Sequence, residues 1–182
     1  MTTSPAPSLS HFGIHVTDLA AMENFYTRVL GLLVSDRGAL PGGPTLTFLS
    51  RDPDQHHQLV LVTGRPPGVE YNIVNQISFK LQSLGDLKAA YVRLRDAGAK
   101  PFRVVTHGNA WSVYFPDPEG NRIELFVDTP WHTPQPYAEP FDIEASEESI
   151  LADTEALCRN RPGFASRADW RAAQVERIAA SH

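Results

Sequence analysis

The sequence predicts an α+β fold assembled from two copies of one supersecondary unit. Segments with strand and helix patterns follow one another in the order β-α-β-β-β from residue 11 to residue 63, and the same order begins again at residue 73. The starts of the two halves also align without gaps: His11 on Gln76, Val16 on Leu81, Leu19 on Leu84, Tyr26 on Tyr91 and Arg28 on Arg93. Such a repeat indicates two like units sharing a core, and units that mix one helix with four strands indicate the α+β class.

The helix of the first half directly follows its first strand. Residues 11–17 alternate like a strand, Asp18 is placed to cap a helix, and Gly31 is placed to end it. Three further strands are predicted, with a Gly/Pro loop at 38–44 and a polar turn at 51–55 between them: residues 32–35, 45–50 and 57–63.

The second half follows a linker, residues 64–68, that contains two adjacent prolines. Ser83 is placed to cap its helix, and Gly98 is placed to end it. Its four strands are predicted at residues 73–81, 102–106, 112–115 and 122–127.

The composition changes after Thr129, where four prolines within residues 130–140 rule out a helix or a central strand. Two short helices are predicted beyond them, at residues 146–158 and from Ser166, where Asp169 completes a cap. Their apolar faces comprise Ile150, Leu151, Thr154, Leu157 and Cys158 on the first helix, and Trp170, Ala173 and Ile178 on the second. Each face must be buried, either against the paired units or against another subunit.

The predicted chain organisation has four parts. They are a disordered lead-in (1–8), a first βαβββ module (9–64), a second βαβββ module (69–130), and a Pro-rich segment with two short helices (131–182). A length of 182 residues accommodates one domain of roughly 125 to 150 residues with an appendage.

Charge and composition exclude several kinds of partner. A net charge of −5 argues against nucleic acid and anionic membranes. The single cysteine, Cys158, excludes an internal disulfide. No apolar run is long enough to span a bilayer, and the first ten residues lack the pattern of a signal peptide. The sequence therefore predicts a cytoplasmic protein.

The stretch from residue 105 to residue 124, VTHGNAWSVYFPDPEGNRIE, concentrates the residues that could carry chemistry. Glu124 stands between Ile123 and Leu125 in a predicted strand, where burial of a carboxylate is costly unless it is paired or binds a cation. Without its surroundings, Glu124 is explained equally well as a carboxylate on the solvent-exposed face of a half-buried strand.

The spacing of this stretch resembles the signature of the type I extradiol ring-cleaving dioxygenases of the vicinal oxygen chelate superfamily. The matching positions are Val105, His107, Val113, Tyr114, Asp117, Pro118, Gly120 and Glu124. The resemblance covers roughly residues 9–130. It implies paired βαβββ modules that form an incompletely closed barrel around a metal.

By this resemblance, His11 and Glu124 are metal ligands, and the repeat places Gln76 as the third. Imidazole, amide oxygen and carboxylate suit a divalent metal, with Fe²⁺ as first choice and Mn²⁺, Zn²⁺ or Ni²⁺ as alternatives. Extradiol enzymes of this type have histidine where this chain has Gln76, so the metal should bind less tightly or react differently. Glyoxalase I, in the same superfamily, is able to use glutamine as a ligand.

The resemblance also implies three catalytic residues. His57, in the His56-His57-Gln58-Leu59 segment, corresponds to the acid/base histidine, whose pKa near neutrality suits proton transfer. His107 and Tyr114 would hydrogen-bond the substrate oxygens. From the residues alone, His56 and His57 fit two surface histidines equally well, and Tyr114 fits core packing.

Three functions remain open on the sequence. The first is a metal-dependent extradiol-type dioxygenase that acts on a catechol-like aromatic with O₂. The second is a glyoxalase-type lyase or isomerase, against which counts the lack of a carboxylate in the segment around His57. The third is a non-catalytic protein that binds a small molecule. A homodimer with exchanged modules is compatible with each of them.

Overall fold

The computed structural model describes residues 8–69, 72–99 and 103–180. The elements follow in this order: β1 (Phe12–Val16), α1 (Leu19–Arg28), β2 (Leu33–Ala39), β3 (Thr45–Ser50), β4 (Leu59–Thr63), β5 (Ile77–Lys80), α2 (Leu84–Asp96), β6 (Arg103–Thr106), β7 (Ala110–Pro116), β8 (Arg122–Asp128), β9 (Trp131–His132), β10 (Glu139–Pro140), α3 (Glu147–Arg159), β11 (Ala165–Ser166) and α4 (Arg167–Ala179). The predicted lead-in, apart from Ser8, and the predicted strand start at Phe102 lie outside the described residues.

The contacts within the chain divide it into two compact units. Unit 1 comprises the described residues up to Asn75 together with Pro116–Asn121. Unit 2 comprises Gln76–Phe115 and the described residues from Arg122 onward. The turn that joins β7 to β8 therefore belongs to unit 1, whereas nearly all of both strands belongs to unit 2.

Unit 1 contains a four-stranded sheet in the order β1-β4-β3-β2. Strand β1 is parallel to β4, and the other pairs are antiparallel. Asp18 caps α1 by accepting the N–H of Ala21. The helix buries a face made of Met22, Phe25 and Tyr26, so helix and sheet enclose an apolar core.

The sheet of unit 2 repeats this topology. Its order is β10-β6-β7-β8-β5, with β5 parallel to β8 and β6 antiparallel to β7. Ser83 caps α2 by accepting the N–H of Asp86, and the helix buries Leu84, Leu87, Ala90 and Leu94. Without the short β10, the two sheets have the same strand order, which confirms the α+β class and the two βαβββ modules.

Two C-terminal helices follow, as predicted, but they are buried unequally. Ser146 caps α3, which buries Ile150, Thr154 and Cys158. Ser166 caps α4, which has no buried residue; Trp170 is 38% exposed and Ile178 61%. Among the described residues, the apolar face of α4 is therefore not buried, and Leu151 and Leu157 of α3 are exposed as well. Packing of these faces against another subunit stays a prediction.

Several predicted strand ends were wrong. Strand β5 starts at Ile77 instead of residue 73, because pairing with β8 begins only at Ile77, and Ile73 is 90% exposed. Strand β2 extends through Gly38 into the predicted loop, because pairing with β3 continues to Ala39. None of the helices in the described part of the chain is long and apolar enough to cross a membrane.

Candidate active site

One face of the unit 2 sheet carries a row of polar side chains across four neighbouring strands. Ser78 of β5 lies directly opposite Glu124 of β8, and Arg103 of β6 lies directly opposite Tyr114 of β7. Residues directly opposite one another project from the same face of a sheet. The Tyr114 hydroxyl donates to Glu124 Oε1 at 2.5 Å, which joins the two pairs into one row.

Glu124 is a buried carboxylate, only 6% exposed, that three neutral groups stabilise. Besides Tyr114 at Oε1, its Oε2 accepts the Gln76 Nε2–H at 2.9 Å and a short hydrogen bond from the Ser78 hydroxyl. Among the described residues, no lysine or arginine forms an ion pair with it. A buried negative charge with neutral donors only is a favourable position for a cation.

His107 extends the row by one further contact. Its Nε2 lies 3.0 Å from the Tyr114 hydroxyl, and its Nδ1 lies 2.7 Å from the carbonyl oxygen of Tyr137. A carbonyl oxygen can only accept, so the proton of this hydrogen bond is on Nδ1. The Tyr137 carbonyl thereby fixes the orientation of the ring and turns Nε2 toward Tyr114.

Gly108 makes this placement of His107 possible. Its φ is +74°, and a Cβ there would lie 2.3 Å from Thr133 Cγ2 and 2.8 Å from the Cys158 sulfur. Only glycine fits both the backbone conformation and the space. The tight turn also lets the N–H of His107 donate to the carbonyl oxygen of Ala110 at 2.8 Å.

Tyr114 keeps its phenolic proton at neutral pH and is a hydrogen-bond donor. Burial raises the pKa of its hydroxyl well above the ordinary value, and the hydrogen bond to Glu124 and the charge of that carboxylate add to the shift. The phenol therefore remains protonated and keeps its donor function.

The other two predicted site residues lie together in unit 1. His11 directly precedes β1 and His57 precedes β4 by two residues, and the parallel pairing of Phe12 with Leu59 brings their rings to a centroid distance of 4.3 Å. Both were predicted inside strands; each instead stands just before one. The predicted metal ligand and the predicted acid/base residue are thus neighbours.

His57 is held between other rings. Its Nδ1 lies 2.9 Å from Nδ1 of His56, and the Phe48 ring is 5.1 Å away. Burial lowers the pKa of His57, and the positive charges that His11 and His56 can carry lower it further. A histidine with a lowered pKa is neutral near pH 7 and able to accept a proton.

The donor atoms of unit 2 fit a divalent metal. Glu124 offers carboxylate oxygen, and the Gln76 amide beside it needs only to exchange its N–H for its oxygen to become a second ligand. Within the described residues, no three His, Cys, Asp or Glu side chains are grouped as a metal site. The predicted ligands thus occur in two places, Gln76 with Glu124 in unit 2 and His11 in unit 1.

Two contacts of the site were not predicted from the sequence. Ser78 hydrogen-bonds Glu124, and the backbone of Tyr137 orients His107. Ser78 could have been found, because it stands two residues after Gln76 in the strand predicted at residues 73–81, and alternate residues of a strand share a face. The Tyr137 contact depends on how a Pro-rich segment folds back, and no local pattern signals it.

The turn between β7 and β8 is fixed within unit 1 by two acidic residues. Asp117 accepts the Tyr26 hydroxyl at 3.0 Å and the N–H groups of Glu119 and Asn121. Glu119 accepts the N–H groups of Thr17 and Asp18 at the start of α1 and pairs with Arg65 at 3.1 Å. The acidic residues of the motif therefore anchor the turn from which β8 and Glu124 follow.

The protein consists of two βαβββ modules, and the last strand of the second module carries a buried glutamate with a tyrosine–histidine pair beside it. This combination of fold and site defines the class of protein. The family model described as Glyoxalase/Bleomycin resistance protein/Dioxygenase superfamily matches residues 8–125. The chain belongs to this superfamily, which confirms the resemblance that its motif indicated.

Relatives and solved structures agree with this assignment. Biphenyl-2,3-diol 1,2-dioxygenase 3 of Rhodococcus globerulus is 35% identical over 127 residues, which are 67% of this chain and 64% of that enzyme, so the chain matches less than two thirds of its length. A glyoxylase/bleomycin resistance protein/dioxygenase domain from Frankia sp. EAN1pec has a TM-score of 0.58 at 21% identity, covering 68% of this chain and 99% of that chain. FosX of Listeria monocytogenes, a fosfomycin resistance protein complexed with Mn(II) and sulfate, has a TM-score of 0.54 at 18% identity, covering 69% of this chain and 95% of that chain. At such identities, these two structures support the fold alone.

Proposed function

We propose that the protein is an extradiol-type ring-cleaving dioxygenase that acts on a catechol-like aromatic with O₂. The observation that carries the proposal is the hydrogen-bonded chain from Glu124 through Tyr114 to His107. It joins a buried carboxylate to two groups that can bind substrate oxygens. The 35% identity to a biphenyl-2,3-diol dioxygenase supports this reading.

The proposed cofactor is a divalent metal, with Fe²⁺ as first choice and Mn²⁺, Zn²⁺ or Ni²⁺ as alternatives. Glu124 and Gln76 would hold it, together with His11, for which the proposal rests on the sequence alone. Bound there, the metal would supply a Lewis acid for the catechol oxygens and a path for electrons between the ring and O₂. Ser78 would keep the Glu124 carboxylate in its orientation, as groups behind metal ligands do.

The protein side chains then orient the substrate and move its protons. Tyr114 is protonated because of its raised pKa, and its single O–H turns from Glu124 to a substrate oxygen as negative charge grows there. His107, whose ring is oriented by the Tyr137 carbonyl, hydrogen-bonds the substrate oxygens together with Tyr114. His57, neutral because of its lowered pKa, takes a proton from a catechol hydroxyl and later returns it.

A glyoxalase-type lyase or isomerase is the second candidate, and the amide ligand at Gln76 favours it. The segment that precedes β4 offers His57, Gln58 and Leu59 but no carboxylate, which counts against such a site. Turnover of the hemithioacetal of glutathione and methylglyoxal would support this candidate.

The test is the metal content of protein purified without air, followed by O₂ uptake after Fe²⁺ and catechols are added. We expect about one iron per chain and oxygen consumption that requires a catechol. His57→Gln should keep the metal and lose turnover, whereas His15→Gln, an exposed histidine of β1, should behave like the wild type. Metal without oxygen uptake, or full turnover by His57→Gln, would contradict the assignment.

A further inference from the structure

We propose that the substrate carries a carboxylate on its aromatic ring and that Arg103 binds this group. The inference rests on the proposed function, because it specifies which catechols the same site accepts. Three observations carry it: the position of Arg103 in the row, the pocket beside His107, and the charge of the pocket lining.

The first observation is the register of the sheet. Arg103 lies directly opposite Tyr114, on the face that carries Glu124 and Ser78. Two strand spacings, about 10 Å, separate the backbone of β6 from that of β8. A flat ring whose oxygens lie at Tyr114 and Glu124 would therefore direct a substituent along the row toward the guanidinium.

The second observation is an open pocket of about 670 Å³ within unit 2, whose lining includes both Arg103 and His107. The other lining residues are Gln135, Pro136, Tyr137 and Ala138. Pro136, Tyr137 and Ala138 offer the apolar surface that an aromatic ring needs. The pocket thus has an apolar wall, a catalytic candidate on one side and a cation on another.

Further contacts of Gln135 and Arg161 hold the wall of the pocket beside His107. The Gln135 amide donates to the carbonyl oxygen of His107 at 2.7 Å, and its Oε1 accepts the N–H of Tyr137 at 3.1 Å. The Arg161 guanidinium lies 4.0 Å from the centre of the Tyr137 ring. Such a preorganised wall loses little entropy when a ligand binds.

The third observation is charge. Arg103 has no hydrogen-bond or ion-pair partner among the described residues, and the pocket lining contains no carboxylate. In a protein with a net charge of −5, such an arginine is a local positive centre. Its planar guanidinium matches a carboxylate with two parallel hydrogen bonds.

The experiment compares catechols that differ in one group. Two matched pairs cover both ring positions: protocatechuate with 4-methylcatechol, and 2,3-dihydroxybenzoate with 3-methylcatechol. Dissociation constants are measured by calorimetry without oxygen, and kcat/KM by O₂ uptake, on wild type, Arg103→Gln, Arg103→Lys and Arg171→Gln. The last variant removes a cation from an exposed position of α4 and controls for long-range charge.

We expect tighter binding of the carboxylated member of at least one pair. Arg103→Gln should reduce this preference by about fivefold, the scale of an exposed ion pair, Arg103→Lys should retain part of it, and Arg171→Gln should retain all of it. Added salt should narrow the preference in the wild type. An Arg103→Gln variant with an unchanged preference, or a wild type that prefers the methyl compounds, would overturn the inference.

The outcomes separate this inference from the proposed function. Turnover of methylcatechols without a preference for carboxylate would sink the Arg103 assignment and leave the dioxygenase. Absence of both binding and oxygen uptake with all four compounds would sink both.

Discussion

The two sheets carry the same row of positions with different chemistry. In unit 1, direct pairing places Gly13 opposite Val60, Val60 opposite Phe48, and Phe48 opposite Asp36. In unit 2, the corresponding row is Ser78, Glu124, Tyr114 and Arg103. The row of the first sheet thus consists of a glycine, two apolar side chains and a carboxylate. The row of the second sheet consists of a hydroxyl, a carboxylate, a phenol and a guanidinium.

The alternate positions of the same strands differ much less. Leu59 and Leu61 of β4 are fully buried, and Ile123 and Leu125 of β8 occupy the equivalent places with at most 5% exposure. Since side chains alternate between the faces of a strand, one face keeps the same apolar core in both sheets, and the other face differs between them. The comparison teaches that the fold is encoded on one face of each sheet and the chemistry on the other face of the second.

Glu124→Val, which makes the second row resemble the first, should have the largest effect. Valine suits a strand, so the fold should persist, but the ligand and the acceptor for Tyr114 are lost. We expect no bound metal and no oxygen uptake, with a far-ultraviolet circular dichroism spectrum like that of the wild type. Glu144→Val, which removes an exposed carboxylate of unit 2, is the control and should remain active. Retained metal in Glu124→Val would refute the ligand assignment.

Val60→Glu makes the opposite change and should destabilise the protein. Val60 is 8% exposed and faces Gly13, so a carboxylate there would lack the donors that Glu124 has. We expect a loss of about 3 kcal/mol in the free energy of unfolding, measured with urea. Adding Gly13→Ser, where a Cβ meets only ordinary contacts, should restore about 1 kcal/mol through one hydrogen bond. Val60→Ile is the control, and an unchanged midpoint in Val60→Glu would contradict the prediction.

The smallest expected effect is on the pH dependence of the free energy of unfolding. It is tested at Asp117, with Asp36, the exposed acid at the end of the first row, for comparison. Burial raises the pKa of Asp117, despite the opposing hydrogen bonds from Asn121, Tyr26 and Glu119. The folded protein therefore keeps this proton to higher pH than the unfolded chain, and the contribution of Asp117 to stability falls as pH rises through that raised pKa.

Urea unfolding from pH 4 to pH 7 tests this sign. Asp117→Asn cannot ionise, so the free energy of unfolding of the variant should improve relative to wild type as pH rises. Asp36→Asn, which removes a carboxylate whose side chain is 64% exposed, is the matched control. Parallel curves for wild type and Asp117→Asn would rule out the raised pKa.

Local signals predicted the parts of the fold that depend on near neighbours in sequence. The predicted caps Asp18, Ser83 and Ser166 act within three residues of themselves, so their patterns were sufficient. The start of β5 was missed because Ile73 and Val74 are residue types typical of strands, whereas pairing with β8 begins only at Ile77. The sequence left open what covers the apolar face of α4, because the pattern indicates that the face is apolar and not which surface it packs against.

The candidate site was likewise predictable only where its residues lie close together in the sequence. The motif indicated Glu124, Tyr114 and His107, because a short stretch of chain contains all three. The contact of His11 with His57 follows from the parallel pairing of β1 with β4, which no spacing encodes. Arg103 was missed because its importance comes from standing opposite Tyr114, a relation between strands.

The turn Pro116–Asn121 has a consequence for how such a protein can evolve. Its Asp117 and Glu119 serve Tyr26 and Arg65, residues encoded far upstream. A recombination event that replaced everything after the linker with the second half of a distant homologue would bring in a turn not matched to these two residues. The halves of the gene are therefore expected to be inherited together, although each encodes a module of the same topology.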